Sequence, residues 1–279
     1  LVLLLAMSLT GCGAARGRLM AEIRTDIGRS DYKRAYEVYK DQAKDATQVD
    51  KLLNLGLLAL EAGDYPEAQR ALAEADGHAD DARTKSGSRE LASLALNDVV
   101  VAYPGTPFDR AMLHYYRALG YLATGDREGA VVEGRAIVTY LEFNRRDTDR
   151  HYKDDAFLQW FAGSLYESAG QTNDAWIAYR RSRSLFASHY GVTEPSFLCP
   201  VTLHAAQASG VPDSEASRAC GGEATGKPRG FGRVIVLLEA GQAPPILENN
   251  IVFPILKTDS RSWVDDEVCR RSARAVYER

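Results

Sequence analysis

The pattern that most constrains this chain is a stretch that recurs. Tyr116–Arg135 reads YRALGYLATGDREGAVVEGR, and related copies lie at Leu53–Leu72 (LNLGLLALEAGDYPEAQRAL) and Phe161–Arg180 (FAGSLYESAGQTNDAWIAYR). Apolar residues fall three and four apart, the period of a helix face. Gly63-Asp64 and Gly125-Asp126 break the first two copies near their middles, and Gly170 stands at the same place in the third. Glycine supplies the φ > 0 that a helix C-terminus favours, and aspartate can cap the helix that follows. Each copy therefore reads as two short helices back to back, with small residues where they touch.

Taken in order, the units are related but irregular. Asp31-Tyr32-Lys33-Arg34-Ala35 resembles Asp64-Tyr65-Pro66-Glu67-Ala68, 33 residues later. That is close to the 34-residue tetratricopeptide period. Gly63 and Gly125 are 62 residues apart, and Gly125 and Gly170 are 45 apart, so both intervals carry insertions. In the first, Gly77–Ser88 (GHADDARTKSGS) reads as a polar linker. Arg89–Ala102 follows as an additional helix, stopped by Tyr103-Pro104-Gly105-Thr106-Pro107. In the second, Asn144–Asp155 is a charged connection rich in Arg and Asp.

After Tyr190 the character changes. Residues 191–230 are rich in Gly, Pro, Ala and Ser and read as a loop-rich linker with one short helix near Val201–Ser209. Gly232–Glu239 (GRVIVLLE) and Asn249–Leu256 (NNIVFPIL) are rich in Val and Ile and read as strands. Ala240–Leu247 joins them as a turn, and Pro254 suits an edge or a bulge. The expected architecture is mostly α: an irregular tetratricopeptide-like array of helical hairpins over 18–190, then a small β-hairpin-containing segment over 231–279.

The chain opens LVLLLAMSLTGC, an apolar run of signal-peptide length ending in small residues. Leu9-Thr10-Gly11-Cys12 is similar to the bacterial lipobox, in which the peptide is cut before the Cys and the thiol takes a diacylglycerol. On that reading 1–11 is removed, Cys12 is lipidated, and 12–17 is a tether. Several acyl chains anchor stably where one is marginal. Gly13 stands where an Asp would resemble an inner-membrane retention signal, which points to the outer membrane, facing the periplasm.

Chemistry-bearing motifs are sparse. The net charge of −4 gives no basic footprint for nucleic acid. None of the five His residues has the His-x3-His spacing of a zinc site, and no Cys-x2-Cys occurs. There is no G-x-S-x-G elbow, phosphate loop or G-x-G-x-x-G. The paired acids at Asp80-Asp81, Asp154-Asp155 and Asp265-Asp266 read as solvated surface. No catalytic residue, metal or cofactor is expected, and the chain is read as no enzyme. Cys199 and Cys220 flank the loop-rich region and are the candidate disulfide, with unbridged thiols as the alternative and Cys269 as the odd one.

The lipobox, the run Asn97-Asp98 through His114-Tyr115-Tyr116-Arg117-Ala118-Leu119 to Gly125-Asp126 with Glu133 and Arg135, and the segment Arg233–Ile255 together resemble a group of tetratricopeptide-containing lipoproteins of Gram-negative bacteria. The resemblance implies a groove lined by the first helix of each unit. Its positions here are Leu53 and Leu57, Tyr115 and Leu119, and Trp160 and Ser164. Tyr115 and Tyr121 are where the additional helix would pack. The competing reading, which helical spacing favours, makes Tyr115 and Trp160 core. The implied function is a lipid-anchored scaffold for an envelope protein or peptide. An accessory role in peptidoglycan synthesis is the alternative, and a hydrolase with a dispersed site is third.

Overall fold

The computed structural model describes residues 11–43, 46–93, 103–146, 152–188, 190–211, 213–222 and 233–239, and no side chains for 11–16, 83–93 and 187. Among these, ten helices follow in order: α1 (Gly11–Gly28), α2 (Tyr32–Ala43), α3 (Val49–Ala62), α4 (Tyr65–Ser93), α5 (Pro107–Ala123), α6 (Arg127–Arg146), α7 (Ala156–Ser168), α8 (Thr172–Ser188), α9 (Leu198–Ala208) and α10 (Ser214–Ala219). Each packs on its neighbours in the chain, and α3 also touches α5. This is the quasi-one-dimensional stacking of helical-repeat proteins.

One turn closes every hairpin. Asp31, Asp64, Asp126, Gln171 and Val211 each donate a backbone N–H to the carbonyl five residues earlier, at 2.8–3.0 Å. The residue before each of them is Ser30, Gly63, Gly125, Gly170 or Gly210, with φ between 60° and 85°. These bonds satisfy carbonyls that a helix C-terminus would otherwise leave unpaired. The side chains of Asp31, Asp64 and Asp126 then accept the N–H of Arg34, Glu67 and Gly129, which starts the next helix. Chain reversal and helix initiation are thus completed within two residues.

The turn also sets the packing register. Five residues beyond it lie Ala35, Ala68, Ala130 and Ala175, all fully buried. Seven residues before it lie Gly56, Ala118 and Gly163. A Cβ at Gly56 would stand 2.5 Å from Leu72 Cγ, and one at Gly163 would stand 2.7 Å from the Tyr179 ring. These pairs are where the two helices of a hairpin touch. A larger residue would push the helices apart and open the core on both sides.

Several expectations need correction. Gly77–Ser88 is no linker: α4 runs unbroken through it as far as Ser93. The segment contains no Pro, and Ala75 and Ala79 are fully buried along one face. Asp76 and Asp80 are held by Arg110 of α5, so tertiary contacts override the polar composition. Arg89–Ser93 closes this helix rather than opening a separate one, and the rest of Arg89–Ala102 lies outside the described residues. Residues 12–17 are helical rather than a tether, since α1 begins at Gly11.

Residues 191–211 and 213–222 extend the stack. α9 buries Leu198, Val201, Thr202, Ala205 and Ala206, where a helix near Val201–Ser209 within a linker was expected. The chain divides into two compact units, Leu1–Lys227 and Pro228–Arg279. In the second, residues 233–239 lie in no strand, and Val234, Val236 and Leu238 are exposed. The β-hairpin is therefore unsupported where it is described. Alternating Val and Ile give strand propensity, but a strand needs a partner to bond. Asn249–Leu256 lies outside the described residues.

Two substitutions of opposite sign check the turn and its register. Gly163→Ala should destabilise the chain by about 1–3 kcal/mol despite alanine's higher helix propensity, because the enclosed Tyr179 ring cannot give way. Ser30→Gly should stabilise it by roughly 1 kcal/mol, removing the strain of a left-handed non-glycine residue. Urea unfolding followed by circular dichroism reads both.

Candidate functional site

The first helices of the hairpins share a face, and aromatic residues collect on it. Tyr116 and Tyr115 of α5 are followed by Phe157, Trp160 and Phe161 of α7 and by Phe197, just before α9. Their rings touch in sequence. Tyr115 meets Tyr116 at 5.1 Å, Phe157 at 5.4 Å and Phe161 at 4.8 Å between centroids. Phe157 lies 5.8 Å from Trp160, and Trp160 lies 5.4 Å from Phe197. Most of these contacts are tilted or edge-to-face, the arrangement that aromatic quadrupoles favour. Phe157 is 39% exposed and Phe197 48%, so the row has a buried root and an open edge.

The expected groove residues divide. Trp160 is half-buried within this row. Leu53 packs with Tyr116 on a small cluster of Leu52, Leu72, Ala75 and Leu113, continuing the apolar surface toward α3. Leu57 and Leu119 are half-buried, and Leu119 packs on the N-terminal core. Tyr115 is a correction: at 1% exposure it is the root of the row and presents nothing to a partner. Ser164 is also turned inward. Its hydroxyl donates to Trp160 O at 3.1 Å and accepts from the Tyr179 hydroxyl at 3.3 Å. The Tyr121 ring lies over Gly129, across its own hairpin. Cys12 belongs to α1, with no side chain described.

Phe157, Phe161, Tyr116 and Phe197 were not among the groove positions read from the sequence. Phe157 and Phe161 sit three residues before and one after Trp160, and that local density of rings was the available signal. Phe197 precedes α9, in a region whose composition looked loop-like.

Two polar networks hold the helices that carry the row. Arg110 of α5 bonds Asp76 at 2.8 Å and Asp80 at 2.9 Å, both on α4. Arg117, two turns on, pairs with Glu133 of α6 at 3.0 Å and approaches Asp76 at 3.9 Å. His114 Nδ1 lies 2.8 Å from the other oxygen of Glu133. The result is a largely buried ladder, Asp80–Arg110–Asp76–Arg117–Glu133–His114, across three helices. Gln69 of α4 adds a bond to Arg117 O at 2.7 Å.

The second network fixes α7. Buried Asp154 accepts from Arg181 Nε at 2.7 Å and from Gln159 Nε2 at 2.9 Å. Asp155 caps α7 by accepting the Leu158 N–H, and Ser182 donates to Ala156 O. Phe157 leaves the first turn of this helix, so its position follows from the cap.

The end of the stack is held by other groups. Cys199 and Cys220 form a disulfide that closes the α9–α10 hairpin. A bridge of this separation contributes on the order of 3 kcal/mol. The Trp176 indole of α8 donates to Asp213 at 2.8 Å. Burial pushes the Asp213 carboxyl up, but the Ala216 N–H, the Trp176 indole and nearby Arg180 and Arg183 outweigh it and hold the group below its ordinary value.

Among the described residues, no group of three or more His, Cys, Asp and Glu side chains could hold a metal ion, and no helix is long and apolar enough to cross a membrane. No protein-family model matches the chain, and no curated protein does. Six solved chains match it. One, "Crystal structure of MamA protein", is 16% identical over 74% of this chain and 88% of that chain, with a TM-score of 0.46. Fold and site together define a helical-hairpin repeat protein with an aromatic surface on its first helices.

Glu133→Ala should destabilise the chain by about 3–5 kcal/mol, because it strands Arg117 in a largely buried setting. Thermal unfolding reads the loss. Asp213 gives a pH signature. Its depressed folded value means its contribution is complete above the ordinary value of about 4 and is lost as pH falls through the folded value. The denaturant-midpoint gap between wild type and Asp213→Asn, present at pH 6, should shrink below about pH 4.

Proposed function

We propose that this chain is a protein- or peptide-binding scaffold whose docking surface is the aromatic row from Tyr116 to Phe197. The observation that carries the reading is the row itself: rings in contact across α5, α7 and the lead-in to α9, with Phe157 and Phe197 open at the edge. Aromatic residues supply large contact area at low entropic cost and are enriched at interface centres. The ladder and the Asp154 network keep the backbone beneath the row rigid, which limits the ordering cost of binding. In this reading the scaffold is held at the outer membrane by lipid on Cys12 and faces the periplasm. The residues Leu9–Cys12 support the anchor, and Gly13 supports the outer membrane.

The surface and the anchor are tested separately. A photo-crosslinking phenylalanine analogue at Phe157 should give a discrete adduct in intact cells, and Trp160→Ala should abolish it. The analogue at Ile177, exposed on the second helix α8, should give none. Equal adducts at 157 and 177 would remove the assignment of the surface. An adduct with a cell-wall synthase component would point to peptidoglycan assembly. For the anchor, radioactive palmitate should label the wild type and leave Cys12→Ala unlabelled.

A further inference from the structure

Three independent features converge on Phe197. Its ring ends the aromatic row against Trp160 at 5.4 Å. Two residues on, Cys199 in the first turn of α9 is bridged to Cys220, the residue that ends α10. On the other side, Glu194 pairs two-pronged with Arg183 of α8, pinning the lead-in three residues before Phe197. α10 has six residues, too few to hold a helix by itself. Trp176–Asp213 and the exposed pair Arg180–Glu215 fasten it to α8. The bridge therefore joins the start of α9 to a piece held on α8, closing the hairpin at the end opposite its Gly210 turn. Neither cysteine is buried, so a small thiol can reach the bridge.

We infer that the Cys199–Cys220 disulfide is a redox latch on the docking surface: it holds Phe197 against Trp160, and its reduction withdraws the last ring of the row. The step balances as a thiol–disulfide exchange. A dithiol attacks one sulfur, a mixed disulfide forms, and the second thiol of the reductant displaces the remaining cysteine. Two electrons and two protons pass to the chain, giving two cysteine thiols, and the dithiol leaves as its own disulfide. Reduction removes the tie between α10 and the start of α9. The start of α9 then keeps the burial of Leu198, Val201 and Thr202 and the Glu194–Arg183 pair, without the covalent tie to α10. The inference rests on the aromatic row being the docking surface, but its test reads the ring contact and needs no partner.

The test uses the full chain with Cys12→Ser and Cys269→Ser, labelled with 5-fluorotryptophan. The Trp160 fluorine signal is assigned by Trp160→Phe. Adding dithiothreitol until two further thiols titrate should move that signal to the position it takes in oxidised Phe197→Ala, with the far-ultraviolet helical signal retained. Cys199→Ser/Cys220→Ser should sit at the reduced position without reductant. A Trp160 signal unmoved after two thiols appear overturns the latch. So does collapse of the whole helical signal, or a bridge that dithiothreitol cannot open. Absence of adducts at 157 with the latch intact would count against the docking surface alone.

Discussion

Every hairpin in this stack depends on one backbone hydrogen bond, made from the residue just past a left-handed turn to a carbonyl five residues back. It satisfies the helix end, reverses the chain and places the next helix cap in position. The contact of Gly56 with Leu72 and that of Gly163 with Tyr179 follow from it. Both glycines lie seven residues before a turn, and the alanines five residues after the turns complete the same interface. Because the bond is local, each hairpin can form where its own residues allow. The irregular spacing of the turns is then no obstacle to a continuous stack.

The irregularity is absorbed by buried charge. α4 is 29 residues long, and its second half is too polar to be held by apolar packing alone. Arg110 and Arg117 reach α4 from α5, and Glu133 ties Arg117 to α6. Such a ladder adds little net stability over apolar packing, but it is costly to break and demands one register. Here that register fixes α5, and with it the root of the aromatic row at Tyr115. The second insertion is handled in the same way, with Asp154 gathering Arg181 and Gln159 before Asp155 caps α7.

Legibility followed locality. The turns at Gly63, Gly125 and Gly170, the caps at Asp64 and Asp126 and the small residues beside them were all readable, since each is decided within a few residues. The segment 77–88 was misread because its polar composition says nothing of Arg110 some thirty residues on. After Tyr190 the short helix near Val201–Ser209 was readable and corresponds to α9, whereas six-residue α10, fastened to α8, was not. Trp160 and Tyr115 stand at equivalent positions, and helical spacing favoured core for both; Tyr115 is core, but Trp160 is half-buried. Register tells which face a residue is on. It does not tell how far the next helix covers that face.

What the sequence by itself determined is the repeat: helix, left-handed turn, capped helix, with alanine and glycine at the crossings. Backbone sterics and i to i+4 periodicity act over one or two turns, and no distant partner is needed to read them. The tertiary structure alone decided where the aromatic row lies and how it ends. Phe197 joins Trp160 only because the hairpin α9–α10 folds back on α8, and Tyr115 is hidden only because Phe157 and Phe161 close over it. Those contacts link residues some forty apart, and they exist only once the helices between have stacked.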